Sequence, residues 1–362
     1  MPRSFFARPA FAVLLLSVCA SGCASTATVF VWQPAEADIA GIRRLAVLDF
    51  RGPDQRGQIA RSALVSQFAE NGFYELVDQS QLGPIHSPNG APDVNRAILA
   101  ARAQGVDALL VGDVLSYDVL DDVQRDQSFQ LGGASERGEA NLARTLMGMR
   151  IEKNETINRE VSVALSFQLV DVRSGNIRAA RRTAHTDMGT MRNGEGYLPA
   201  QERTLTELMD LCARDIVHMV APFQLPDTVD LASATWGKAA KKIKAGNRCA
   251  KEGDWSGAAQ HWEAALALDP DSHAAMHNLA VAREARMDYP GAERLLAQAA
   301  QLEQKDLYAQ TRSRIESHKA RYLETMAQHD ARDCRPADPR AYAGAPTVPN
   351  VQPTVHTAFG VR

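Results

Sequence analysis

Val161-Ser-Val-Ala-Leu-Ser-Phe-Gln-Leu169 places a large apolar residue at every second position, with Ser162, Ala164, Ser166 and Gln168 between them. A period of two marks a strand with one buried face. Ser174-Gly175-Asn176 follows as a turn and Ile177–Thr186 as the returning strand, so this stretch reads as a hairpin. Working outward, Leu45-Ala-Val-Leu-Asp-Phe50 and Asp107-Ala-Leu-Leu-Val-Gly-Asp-Val-Leu115 are short apolar runs suited to buried strands, and Phe73–Val77 reads as another. Helical spacing appears between them. Ile59, Ala63, Leu64 and Phe68 form one stripe, closed by Asn71-Gly72. Val94, Ala97, Ile98 and Ala101 form a second, and Leu205, Leu208, Cys212, Ile216 and Met219 a third that stops at Pro222. The order β-α-β-α-β-β-β-α predicts a layered α/β domain with a mixed sheet over residues 41–222.

Residues 118–160 interrupt that order. They are polar, carry Gly132-Gly133 and show a weak helical stripe of Leu142, Leu146 and Met149, which predicts a long soluble loop. Residues 223–235, with Pro222 before them and Pro226 within, read as a linker.

From residue 236 the chain becomes alanine-rich and repeats itself. Gly246/Ala280, Asp254/Asp288, Trp255/Tyr289, Ala258/Ala292, Trp262/Leu296 and Ala265/Ala299 are each 34 apart. This pattern resembles the tetratricopeptide repeat, in which small residues let two helices approach and a large one fills the space between them. The resemblance implies an all-α domain over 236–330. Leu307–Gln328, with Ile315 and Leu323 on one stripe, would be its capping helix. Lys242, Cys249, Arg283 and Gln304 depart from the family pattern. Residues 331–362, with five prolines, read as a disordered tail.

The chain has 362 residues and a formal charge of −3, from 40 Lys+Arg against 43 Asp+Glu. It has no basic block that would favour nucleic acid. Arg3 and Arg8, the apolar run Phe11–Cys19, and Ala20-Ser21-Gly22 before Cys23 resemble a bacterial lipoprotein signal peptide with its lipobox. The resemblance implies that residues 1–22 are removed and that Cys23 carries lipid chains, palmitate among the candidates. Residues 23–40 would then be a tether. Ala24 stands where an inner-membrane retention signal would have Asp, so the expected location is the periplasmic side of the outer membrane. Removing Arg3 and Arg8 leaves 38 positive against 43 negative groups, or −5. Cys212, Cys249 and Cys334 remain, and an odd number allows at most one disulfide.

Chemical motifs are sparse. No zinc-protease, nucleophile-elbow, phosphate-loop or EF-hand pattern occurs, so neither an enzyme nor a cofactor is expected. His273 and His277 stand i, i+4 on a repeat helix, a spacing that suits a metal but lacks a third ligand, and a solvated face is expected instead. Asp121-Asp122 with Asp126 reads as a solvated loop. One subgroup of the repeat family grips a peptide C-terminal carboxylate with Lys, Asn and Arg. Asn247, Asn278 and Arg312 fall on the Asn, Asn and Arg positions, whereas Ile243 and Tyr308 replace both lysines. Asn247, Asn278, Arg312, Ile243 and His277 line the expected peptide groove.

Residues 43–222 resemble the CsgG family of outer-membrane lipoproteins of curli assembly and its LpoB-type relatives. The carrying segments are Ile42–Phe50, the helix 56–71 running into Phe73–Asp78, Val106–Tyr117 and Val163–Val172 with Ser174–Ile177. The resemblance implies a protein-binding scaffold or assembly factor that acts on other proteins and the membrane, with homo-oligomers open. A secretion channel is the alternative it implies, and activation of a penicillin-binding protein a further one. Residues 118–160 and 187–200 lack the sustained alternation that a lipid-spanning strand requires.

Overall fold

Leu45 and Val47 point one way out of strand β2 (Arg44–Val47), Ala46 and Leu48 the other way, and each set meets its own core. The structure is a computed structural model that describes residues 25–86, 92–130 and 150–333. Within it the chain divides into two units. One comprises Trp32–Gln224 and the residues from Arg321. The other comprises the residues up to Val31 and Leu225–Ala320. Cys23 and its signal segment, Gly132-Gly133, the Leu142, Leu146 and Met149 stripe, Cys334 and the proline-rich tail lie outside the described residues.

The first unit is built on a six-stranded sheet in the order β3-β2-β4-β5-β6-β7, namely Glu75–Leu76, β2, Ala108–Gln130, Arg150–Asp171, Ile177–Arg192 and Glu195–Gly196. β2 runs parallel to β3 and β4, and the remaining pairs are antiparallel. On one face, α1 (Arg56–Asn71) lays Ala60, Leu64 and Phe68 against the sheet. There α3 (Gln201–Val220) adds Leu208, Cys212 and Ile216, meeting Val163, Leu165, Phe167 and Leu169. On the other face α2 (Val94–Ala103) and a 3-10 turn cover a smaller cluster that includes Ala46, Leu48, Leu109, Val111, Val170 and Val172. Asp93 caps α2 by accepting the backbone N–H groups of Asn95 and Arg96. Burial pushes the Cys212 thiol up to about 11, which leaves it protonated and unreactive at neutral pH.

Three segments differ from their sequence reading. The described part of 118–160 is strand: β4 runs to Gln130 and β5 begins at Arg150, in unbroken register from Ser116↔Ala164 to Gln130↔Arg150. Cross-strand charge pairs do the work that apolar alternation does elsewhere. Asp121 lies opposite Arg159, with an N–O distance of 2.6 Å, and Arg125 opposite Glu155 at 2.9 Å, and Val123 pairs with Ile157 between them. Asn193 and Gly194, both at positive φ (52° and 85°), turn β6 into β7, the two-residue connection that fits strand twist.

Residues expected as a tether are ordered as well. Ser25–Gln33 is strand β1, with Ala27, Val29 and Val31 buried. Beyond it, Ala35, Ile39 and Ile42 enter the core of the first unit. Gln328 pins Ala35 there by accepting its N–H and donating to its carbonyl, both at 2.9 Å. The expected linker contains β8 (Phe223–Leu231), which pairs with β1 in a two-stranded sheet. Among the described residues no helix is long and apolar enough to cross a membrane.

The second unit holds α4 (Ala240–Lys251), α5 (Trp255–Leu268), α6 (His273–Glu284), α7 (Tyr289–Leu302) and the first half of α8 (Asp306–Asp333). Asp254 and Asp288, 34 apart, cap α5 and α7 in the same way, accepting from Gly257 N (2.8 Å) and Gly291 N (3.0 Å). Ile315 on α8 is buried. Leu323 is 57% exposed, so the single apolar stripe expected for the cap does not extend to it.

Candidate binding groove

The residues expected to line a peptide groove come from three helices: Ile243 and Asn247 from α4, His277 and Asn278 from α6, and Arg312 from α8. The structure brings four of the five into one buried region and fills it with the chain itself. The Asn278 side chain pairs with the Ala232 peptide at two points. Its Oδ1 accepts the Ala232 N–H at 2.7 Å and its Nδ2 donates to the Ala232 carbonyl at 2.8 Å. Asn247 Nδ2 donates to the same carbonyl at 3.0 Å. Asn247 Oδ1 in turn accepts from Asn278 Nδ2 (2.8 Å) and from the Trp262 indole N–H (3.1 Å). A main-chain amide offers one donor and one acceptor, and a carboxamide matches both. The pair therefore reads backbone, and its ligand here is the segment that leads out of β8.

His277 supports this clamp and is not on a solvated face. It is fully buried, stacked on Tyr308 at 4.9 Å between ring centroids. Asn278 Oδ1 can only accept, so His277 Nδ1 carries the proton and donates to it at 3.0 Å. Its Nε2 then accepts from the Thr311 hydroxyl at 3.0 Å. Burial holds the His277 imidazole down at about 4, so it is neutral at physiological pH. His273 is half-buried beside Tyr308 and Glu303, and burial lowers it too.

A second buried cluster lies on the same helices. Glu284 is 4% exposed, and burial alone would raise its pKa. His318 Nδ1 at 2.7 Å and the Arg314 guanidinium at 2.8 Å more than offset that, so the carboxylate is held below its ordinary value. His318 Nε2 also faces Asp227 of β8 at 3.3 Å, a second tie between that strand and the helices. Among the described residues no group of three or more side chains is placed to hold a metal.

Arg312 stands apart from both clusters. It is exposed, and neither a hydrogen bond nor an ion pair of the clamp involves it. Arg312→Ala is expected to leave the free energy of urea unfolding unchanged within about 0.5 kcal/mol. The clamp's occupant lay beyond sequence reading. Asn247 and Asn278 are visible as polar positions on otherwise apolar helix faces, but nothing local marks Ala232, 46 residues before Asn278, as what they hold.

The helix pairs and their cap carry one match: residues 244–328 match a family described as a domain of unknown function (DUF6340). That is under a quarter of the chain. No curated protein matches. Solved structures similar to part of the chain include a PelC dodecamer from Paraburkholderia phytofirmans, at 16% identity and a TM-score of 0.26, covering 54% of this chain and 96% of that one. Another is the lipoprotein GNA1162 from Neisseria meningitidis, at 15% identity and a TM-score of 0.27, covering 48% and 98%. A third is the LpoB C-terminal domain from Salmonella enterica, at 20% identity and 0.24, covering 42% and 87%. At these scores the likeness carries no activity or partner over to this chain.

Proposed function

We propose that the chain is a lipid-anchored envelope protein, held by acyl chains on Cys23 at the periplasmic side of the outer membrane. There it works by binding, as a scaffold for a secretion, appendage or envelope machine, and not as an enzyme. The observation that carries the binding role is the free edge of the sheet. β6 is 16 residues long, yet among the described residues it pairs with a further strand only at Met191 and Arg192. Ala180, Arg182, Ala184 and Thr186 are exposed along it, small or polar residues that leave its backbone approachable. A strand edge of this length is a template for a strand from another chain. The helix pairs add a second surface. With Asn247 and Asn278 engaged by Ala232, a partner would meet the outside of the repeats, where Arg312 lies.

Photo-cross-linkers placed at Ala184 and at Arg312 in intact cells test this. A discrete protein adduct at either position is expected, and the absence of any at both sinks the scaffold reading. The anchor has its own test. Cys23→Ala is expected to abolish incorporation of labelled palmitate and to move the protein into the soluble periplasmic fraction, and unchanged labelling refutes it.

The continuous strands at 118–130 and 150–160 favour one further reading, a component of an outer-membrane secretion channel. Stable single-channel conductance of the purified protein in planar bilayers would favour that reading over the scaffold.

A further inference from the structure

Helix α4 carries Lys241, Lys242, Lys244, Arg248 and Lys251 and no acidic residue, in a chain whose net charge is negative. Lys241, Lys244, Arg248 and Lys251 follow a 3-4-3 spacing, which lines them up on one helix face. All four are exposed, whereas Ile243, Gly246, Asn247 and Ala250 are buried on the opposite side. Among the described residues no ion pair engages any of the four. Their positive charge is therefore presented to whatever adjoins the helix.

What adjoins it is the first residue of β1. Ser25, Ser233 and Ala234 line a groove of about 610 Å³ together with Lys241, Lys244, Arg248 and Lys251. Ser25 opens β1, and one residue separates it from Cys23. Two residues of extended chain span at most about 7 Å. Trp236, 87% exposed and four residues before α4, adds a ring of the amphipathic kind that settles at the headgroup level of a bilayer.

We infer that this face of α4 is a contact surface for the phosphates of anionic phospholipids in the bilayer that holds the anchor. The inference deepens the lipid-anchor reading and rests on it for its place in the cell. An acylated Cys23 would bring the groove that the basic stripe lines close to the headgroups, and the attraction there is screened by added salt. Each Lys or Arg near an anionic surface strengthens binding roughly fivefold, so four acting together supply several hundredfold. The acyl chains fix the protein to the membrane, and the stripe fixes which way up it stands.

The test uses the full mature chain with Cys23→Ser, so that acylation does not enter. Co-sedimentation with vesicles of phosphatidylcholine containing phosphatidylglycerol is expected, with at least tenfold less on phosphatidylcholine alone and a steep decline with added salt. The charge reversal Lys241→Glu/Lys244→Glu/Arg248→Glu is expected to abolish binding to the phosphatidylglycerol vesicles. Its neutral counterpart, with Gln at the same three positions, guards against misfolding and is expected to lose most of it with an unchanged circular dichroism spectrum. Trp236→Phe is expected to remove part of the blue shift in fluorescence on binding. Equal binding to both vesicle types, or saturation of the stripe by inorganic phosphate with no vesicle binding, overturns the inference. A failed vesicle assay alongside palmitate-labelled Cys23 would sink this surface and spare the anchor, and the reverse result would do the opposite.

Discussion

Truncating Trp262 to alanine is expected to remove about 3–5 kcal/mol from the stability of the helical unit, the usual cost of emptying a large buried aromatic site. Trp262 is fully buried, and its indole N–H bonds to Asn247 Oδ1 at 3.1 Å and lies 3.3 Å from the Ile243 carbonyl. The more incisive result concerns its neighbour. A Cβ added at Gly246 would stand 2.4 Å from Trp262 Nε1, with two further ring atoms within 2.8 Å. Gly246→Ala is therefore expected to destabilise by about 2 kcal/mol, the overpacking cost outweighing the roughly 1 kcal/mol that alanine returns in helix propensity. Thirty-four residues on, the corresponding positions hold Ala280 and Leu296, both buried: a larger small residue matched with a smaller filler. In a Trp262→Leu background, Gly246→Ala is thus expected to change sign and become neutral or stabilising. Urea unfolding of the four proteins measures the coupling. Additive effects of the two substitutions would show that the repeat is a likeness of letters and not of packing.

That pair shows what the sequence makes legible. Offsets of 34, capping Asp residues and small-to-large matches are local or periodic, and each maps onto a helix pair. The alternation of Val161–Leu169 and the stripes of α1, α2 and α3 are legible for the same reason, since one buried face imposes one period. Where two environments compete, the period is blurred. In β1, Ala27, Val29 and Val31 are buried at period two, but the 60%-exposed Phe30 falls on the other parity and hides it. In β8, Pro226 argues against a strand, and is tolerated there because the sheet has only two strands and every strand is an edge. The β4–β5 ribbon escapes because its stabilising pairs, such as Asp121 with Arg159, lie on different strands and look like scattered charge until the register is known. The clamp on Ala232 escapes for the reason of distance alone.

Acid is expected to loosen the clamp well above the pH at which carboxylates titrate. In the folded chain His277 binds a proton only near pH 4, because protonation would place a charge where no surface is exposed and turn Nε2 from an acceptor of the Thr311 hydroxyl into a donor. Unfolded, it binds one near 6.5, the ordinary value. Above pH 6.5 both states are neutral there and the full stability is present. Between 6.5 and about 4 the unfolded chain takes up a proton that the folded one refuses, and stability falls by up to roughly 1.4 kcal/mol per pH unit. The loss amounts to something on the order of 3 kcal/mol and then levels off. The groups facing the ring do not reverse the sign: burial outweighs the hydrogen bond to Asn278 and the charges of Glu284 and Asp230, which favour the proton, while Arg314 opposes it. His273 shifts in the same direction but is half-exposed, so His273→Gln serves as the control for a second, smaller contribution. His277→Gln is expected to be less stable than the parent at pH 7 and to lose much less between pH 7 and pH 5, measured as the urea midpoint of the helical unit. Equal pH slopes for the parent and His277→Gln would mean that the ring is not held neutral. The account of Asn278 as an acceptor fixed by His277 would fall with it.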